Sequence, residues 1–565
     1  MEDGESEIDD SKFFFSDDGK KDASSELNAT LDAFFSESRL DDNSSACLFP
    51  ARKAWLKERL KIDDFPDVEC RAFDKIIKRL SPTSATLVFP SAHINSPASM
   101  FGHTFIRVNS GYNSKLLSYA FNYAADANPD DTNAVVFAIK GLSGGYFGKY
   151  SLLPYYEKLK EYRDAEQRDI WEYDLDLSKE ETLQMVRHIW ELNDTHSYYY
   201  FFTENCSYNM LWFIESARPS VHLREYFGYD VIPLESVHAA KSEGIIINTN
   251  FRASKRTKLL KYEELIDEEF IYMPKALVSS QITLEGIVQN QDISTEQKQY
   301  ILEAGIEFLE YSYSQNEMSK DEYLALFYKI SQTRATLGVG KKLNIKTPHN
   351  PVDSHRAVRV STGVGAREGK TIGFLGIRPA YHDLEDSNAG YLRGTQIEFL
   401  NLELSYSESD IDIEEATIVS IASMIPRSEF INSLSWRMKL GFDRESLEYD
   451  TNFLATLGAG FSWGNNLGFI YVMVDPTLYT VADLTAALGG SLGLIIDKYT
   501  FMSTNFEATQ RYYDSGDTQL IIDASQNFRL SQNTQLKFKY NYIDRVILDT
   551  KTDEQTYKLM FNYYF

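Results

Sequence analysis

From about His355 to the C-terminus, apolar and polar residues alternate in short segments separated by turns rich in Asp, Asn, Ser and Gly. Ala357–Val364, Ser433–Leu440 and Gln535–Tyr542 are examples, and about twelve such segments fit before the chain ends. In the last of them Tyr557, Leu559, Phe561, Tyr563 and Phe565 share one face. A period of two predicts β-strands. A long open sheet with that much exposed aromatic edge would aggregate, whereas closure into a lipid-embedded barrel removes the edges. The pattern therefore predicts an all-β antiparallel transmembrane barrel of about 12 strands over residues 351–565. A soluble β-sandwich is the competing architecture.

Upstream the periodicity is mixed. Ala85–Phe89, His103–Val108, Lys115–Tyr123, Val135–Ile139 and Trp171–Leu175 read as strands. Ser178 and Glu181 form a capping box ahead of a helix carrying Leu183, Val186 and Trp190, and Tyr208–Ala217 reads as a buried helix. These elements predict an α+β domain over residues 46–260. Residues 261–350 are mostly helical in pattern, with a second capping signal at Ser294–Gln297, and read as a connecting region. The first 45 residues, rich in Asp, Glu and Ser, read as a flexible acidic segment.

Composition narrows the classes. The 565-residue chain carries a net charge of −26, which argues against nucleic acid, a partner that wants a basic patch. The aromatic share of 14% is high and suits the girdles of an outer-membrane barrel. No window reaches the roughly 18–20 apolar residues of a membrane helix. Met1 runs straight into Glu2-Asp3-Gly4-Glu5-Ser6-Glu7, so the barrel reading implies a secretory signal already removed. Three cysteines occur. Cys47 and Cys70 lie close together in one segment and are the expected disulfide, leaving Cys206 as a working thiol. Three unrelated buried thiols are the alternative.

Cys206 falls in the first turn of the helix that follows Asn205, where unpaired N–H groups and the helix dipole lower a thiol pKa. Its candidate base is His103, about a hundred residues upstream, with His93 as rival. The strand after His103 offers Tyr119, Asn122 and Tyr123 to orient the imidazole, and Asn122 is chosen. Asn205, Ser99, Tyr119 and Arg107 are the candidates for substrate binding or an oxyanion site. Gly141–Gly148 holds four glycines but lacks the spacing of a phosphate loop. His188 and His196 lack convincing metal-ligand spacing, so neither a metal nor another cofactor is expected.

A histidine strand, a polar strand and only then an Asn-Cys helix start is the order of circularly permuted papain-like folds. It resembles the permuted NlpC/P60 proteins and the lecithin–retinol acyltransferase group. More closely, Pro97–Arg107, Asn205-Cys206-Ser207 and a C-terminal β domain resemble the Lnb family of bacterial lipoprotein N-acyltransferases. The resemblance implies a papain-like thiol domain facing the periplasm and tethered to an outer-membrane barrel. It implies that Cys206 takes an acyl chain from a glycerophospholipid as a thioester, and that His103 helps pass it to the α-amine of a diacyl lipoprotein. The partners expected are these lipid substrates and the outer membrane, with the chain a monomer. A thiol hydrolase acting on peptidoglycan or phospholipid, and a non-enzymatic porin or adhesin, are the alternatives.

Overall fold

The computed structural model describes residues 4–565 except 38–40, 62–64, 66–67, 92–101, 113–114, 127–139, 142, 229, 408–409, 449 and 482. Ser99, His93 and the expected strand Val135–Ile139 lie outside the described residues. The chain forms two compact units, Met1–Lys255 and Arg256–Phe565.

The first unit is built on a seven-stranded antiparallel sheet in the order β6-β4-β3-β2-β1-β5-β7. Its strands are β1 (Pro82–Pro90), β2 (Phe105–Ser110), β3 (Tyr119–Ala125), β4 (Tyr146–Pro154), β5 (Ile170–Leu175), β6 (His196–Tyr199) and β7 (Ile246–Arg252). The glycine-rich stretch Gly141–Gly148 runs into β4 at Tyr146, and Lys115–Leu117 is a 3-10 turn rather than strand. Two helices frame the site. Lys179–Glu191 starts on the reciprocal Ser178–Glu181 capping box, and Cys206–Ala217 buries Met210, Leu211, Phe213 and Ile214. Phe213 meets Phe121 of β3 edge-on, with 4.3 Å between ring centroids.

The N-terminal acidic segment is folded, contrary to its composition. Asp22 caps the helix Ala23–Ser36, and Ile8, Phe13 and Phe34 are buried. Arg52 lies over the rings of Phe13 and Phe49 and pairs with Glu26. A few aromatics docked on a partner surface outweigh the solvation of the surrounding acids. Cys47 and Cys70 form the disulfide.

The second unit begins with helices Lys255–Leu265, Met273–Val278, Leu284–Val288, Thr295–Ser314 and Lys320–Thr336. Leu259, Ile266, Leu277, Ile301 and Leu309 cluster with Phe430 and Ile431, which lie in a turn of the barrel, so the helical region packs with the barrel.

The barrel strands begin with β8 (Arg359–Arg367), β9 (Lys370–Arg378), β10 (Ala380–His382), β11 (Thr395–Tyr406), β12 (Ile411–Ser423) and β13 (Ser435–Asp443). They continue with β14 (Asn452–Gly464), β15 (Gly468–Val481), β16 (Asp483–Tyr499), β17 (Met502–Tyr513), β18 (Thr518–Ser531), β19 (Thr534–Ile547) and β20 (Thr550–Tyr564). Neighbours pair antiparallel from β11 through β20 to β8 and β9, and β9 pairs back to β11, which closes the ring. The short β10 extends β9 along the same partner, so the barrel has twelve staves. Tyr557, Leu559, Phe561 and Tyr563 face outward, as do Ile470, Val472 and Val474 on β15. The inward positions hold charge. Arg437 bonds to Asp475 and Glu507, and Lys439 to Glu415.

Two connections cross the lumen. The segment after β10 reaches the far wall, where Asn505 donates to the carbonyl of Leu384 (2.8 Å) and Gln535 to that of Glu385 (2.7 Å). At the opposite end, the turn after β13 is held by Gln519 and Arg545, which donate to the carbonyls of Glu445 (2.7 Å) and Ser446 (2.8 Å) respectively. A polar cavity of about 380 Å³, lined by Glu398, Glu415, Arg437, Glu507, Asp523 and Lys539 among others, lies inside the barrel. Among the described residues, no helix is long and apolar enough to cross a membrane.

Candidate active site

Asn205 sets the start of the helix that carries the thiol. Its Oδ1 accepts from the backbone N–H of Ser207 (2.9 Å) and Tyr208 (3.2 Å), capping the first turn. Its Nδ2 donates to the carbonyls of Phe201 (2.9 Å) and Val231 (2.6 Å). The amide is thus fully engaged in shaping the turn, and the expected oxyanion role for Asn205 is corrected to a cap. Cys206 follows as the first helical residue, buried and free of disulfide.

His103 reaches the thiol from the start of β2. Gly102 before it has φ +95°, and a Cβ there would lie 2.7 Å from the Phe89 ring, so only glycine turns the chain this closely. The imidazole Nε2 lies 2.6 Å from Oδ1 of Asn122 on β3. Phe105 and Tyr162 pack against the ring. The Thr104 hydroxyl donates to Ser207 Oγ (2.8 Å), tying the strand start to the helix start.

These neighbours decide the state of the sulfur. Burial pushes the Cys206 thiol up. The charge and hydrogen bond of His103, the backbone N–H of Thr104 and the Ser207 hydroxyl outweigh it and bring the thiol down to about 7. A cysteine at that value is substantially thiolate at neutral pH. A thiol, an imidazole and a side-chain amide held together in this way are a set that can support thiol nucleophilic chemistry.

Tyr199, within the aromatic run Tyr198–Phe202, is a further residue at the site. Tyr199 is buried on β6 beside Cys206. Burial first, and the neighbouring thiolate next, hold its phenol well above the ordinary value, so it stays a neutral donor. Strand alternation was the available signal. Tyr199 pairs with Tyr146 and points inward, while Tyr198 is exposed beside Phe147.

Two other candidates lie elsewhere. Arg107 is fully buried in an ion pair with Glu172 (2.7 Å), its guanidinium over the Tyr155 ring, so it serves the core. Burial alone would raise the Glu172 carboxyl. Arg107, the Tyr155 hydroxyl and Arg252 hold it at about 2 instead. Tyr119 sits at the far end of β3 from the thiol, under the guanidinium of Arg79. Glu204, next to the cap, is pushed up to about 7 by burial and by Glu7 and Asp9. Those two acids belong to the N-terminal segment, which docks beside the site. Glu7 accepts from the Tyr208 hydroxyl (2.9 Å), and Asp9 accepts from the backbone N–H of Tyr198 (2.7 Å).

The fold and site define an outer-membrane barrel protein whose periplasmic α/β domain holds a cysteine, a histidine and an asparagine together. Residues 72–243 match the family model described as the Lnb N-terminal periplasmic domain, so the chain carries an Lnb-type domain, as its motifs implied. Residues 1–59 and 348–564 match two domains of unknown function. No curated protein matches the chain. Solved structures similar to it include the KdgM porin, at 8% identity over 37% of this chain and 99% of that one, with a TM-score of 0.24. The NanC porin is 10% identical over 36% of this chain and 100% of its own, with a TM-score of 0.25. An outer membrane channel from Pseudomonas putida F1 is 10% identical over 38% of this chain and 96% of its own, with a TM-score of 0.26. The barrel itself rests on the closed strand order.

Proposed function

We propose that this protein is an outer-membrane lipoprotein N-acyltransferase. The observation that carries the reading is the Cys206 thiol, brought to about 7 beside the His103–Asn122 pair, in an Lnb-type domain on a chain with its own barrel. The Cys206 sulfur attacks an ester carbonyl of a glycerophospholipid. The backbone N–H of Cys206 and the Tyr199 hydroxyl are the donors assigned to the oxyanion. As the intermediate collapses, His103 gives its proton to the departing lysophospholipid oxygen, leaving an S-acyl cysteine. His103 then takes a proton from the α-amine of a diacyl lipoprotein as that amine attacks the thioester, and the sulfur departs.

The barrel supports this choice among thiol chemistries. Both substrates are held in a bilayer, so an enzyme anchored in the same membrane meets them at high effective concentration. A cell-wall hydrolase would gain less from the anchor.

The test is to incubate the purified protein, and Cys206→Ala, with a diacyl lipopeptide and phospholipid vesicles and read the products by mass spectrometry. A new N-acyl lipopeptide that the variant fails to make supports the transferase. Free fatty acid alone would replace it with a phospholipid deacylase, and cleavage of added muropeptides with a peptidoglycan hydrolase.

A further inference from the structure

The barrel holds a cluster of chemistry that the thiol site does not use. His355 precedes β8, His382 ends β10, and Asp386 lies in the segment that crosses the lumen. All three are buried and present one ligand atom each to a common point. His355 Nε2 is 3.1 Å from His382 Nδ1 and 3.7 Å from Asp386 Oδ2, and the last two atoms are 3.9 Å apart. Donors bound at about 2.0–2.1 Å around one tetrahedral or trigonal ion stand roughly 3.3–3.6 Å from one another, which is the scale of this triangle.

The surroundings are those of a ligand set. His355 holds its other ring nitrogen, Nδ1, 2.7 Å from the backbone carbonyl of Arg356. That bond places the ring proton on Nδ1 and aims the Nε2 lone pair into the cluster, the outer contact that metal-bound histidines make. Asp386 is oriented by the Tyr564 hydroxyl (2.6 Å) on Oδ1, while its ligand atom Oδ2 also accepts from the Asp383 backbone N–H (3.1 Å) and pairs with Arg378 (2.7 Å). Tyr391 stacks on His382 with 4.1 Å between centroids, fixing that ring.

Charge permits a cation. Arg378 pairs with Asp386 (2.7 Å) and Asp383 (2.9 Å) and approaches Glu398 (3.5 Å), while Arg359 pairs with Asp383. Lys537, paired with Glu385 (2.7 Å), adds a further cation and carboxylate, so four carboxylates face three cations around the cluster.

We propose that His355, His382 and Asp386 bind a divalent first-row transition metal, with Zn2+ the ion that two imidazoles and one carboxylate suit best. Binding at His382 Nδ1 moves the proton that bridges the two facing ring nitrogens to the other nitrogen of the His382 ring. The ion would pin the segment crossing the barrel mouth to the residues before β8 and at the end of β10. The role is structural and separate from the thiol chemistry.

The test uses the full chain in detergent, loaded with zinc chloride and desalted, with metal measured by mass spectrometry beside His355→Ala and His382→Ala. Stoichiometric zinc in the wild type, falling by more than about tenfold in either variant, is the expected result. Equal zinc in wild type and variants, all folded by electrophoretic heat-modifiability, would overturn the site and leave only a ring-to-ring hydrogen bond. If neither variant folds, wild-type protein loaded with Co2+ decides. A visible absorption band displaced by Zn2+ supports the site, and its absence overturns it.

Discussion

His103 Nε2 and Asn122 Oδ1 stand 2.6 Å apart, joining the chain two residues before β2 to the middle of β3. With an amide oxygen as its partner, Nε2 carries the proton, and Nδ1 is the ring atom left for the thiol. Asn122→Ala removes that constraint while leaving Cys206 and His103 in place. The expected outcome is a fall in kcat of about 10- to 100-fold with little change in KM, read from the rate of lipopeptide acylation.

The thiol itself should titrate early. Its value of about 7 means thiolate forms as the pH rises through 7 and is lost below it, whereas an ordinary cysteine ionises near pH 8.5 (about 1.5 units higher). The thiolate ultraviolet absorbance of the wild type, less that of Cys206→Ser, gives the midpoint directly. In His103→Ala the midpoint should move upward, because burial remains and the charge opposing it is gone.

Much of this site was legible from residue order. Asn205 ahead of an apolar helical run is a capping pattern, and a cap puts the next residue where a cysteine is activated. Asn122 also follows from pairing. Ile106 sits opposite Phe121, so Asn122 falls on the face of Phe105 and, two residues further, of His103. Tyr119, three residues before Asn122, falls on the other face and about 10 Å along the strand. Arg107 could not be assigned without its partner, because Glu172 arrives from β5, far away in the chain. The N-terminal segment was misjudged because acidic composition hid the few aromatics that dock it. The barrel was readable because alternation is a local signal. The crossings of its lumen depend on contacts such as Gln519 with Glu445 that no local pattern records.

The Cys47–Cys70 bond closes a loop with a sequence separation of 23. Replacing both cysteines with serine should destabilise the N-terminal unit by about 3 kcal/mol, chiefly by freeing its unfolded chain. Denaturation followed by tryptophan fluorescence reads this locally, since the Trp190 indole N–H donates to the Cys47 carbonyl (3.0 Å). Cys206 stays intact in this variant, so the loss is separable from loss of the thiol.

The barrel should not conduct as a porin does. Segments bonded across both ends, and ion pairs such as Arg437 with Asp475 (2.7 Å) between them, occupy the space an ion path would need. In planar bilayers the full chain should show no stepwise conductance. Deleting Glu445–Leu447, the crossing opposite the chain ends, should by itself introduce none, because the crossing at the other end and the ion pairs remain. Steady channels from the wild type would favour the porin reading.

Whether Cys206 carries an acyl group is read by intact-protein mass spectrometry after exposure to phospholipid vesicles without acceptor. The account predicts a mass increase of one fatty acyl chain, mapped to Cys206, removed by hydroxylamine and absent from Cys206→Ala. An unmodified Cys206 under conditions where lipopeptide is still acylated would contradict it.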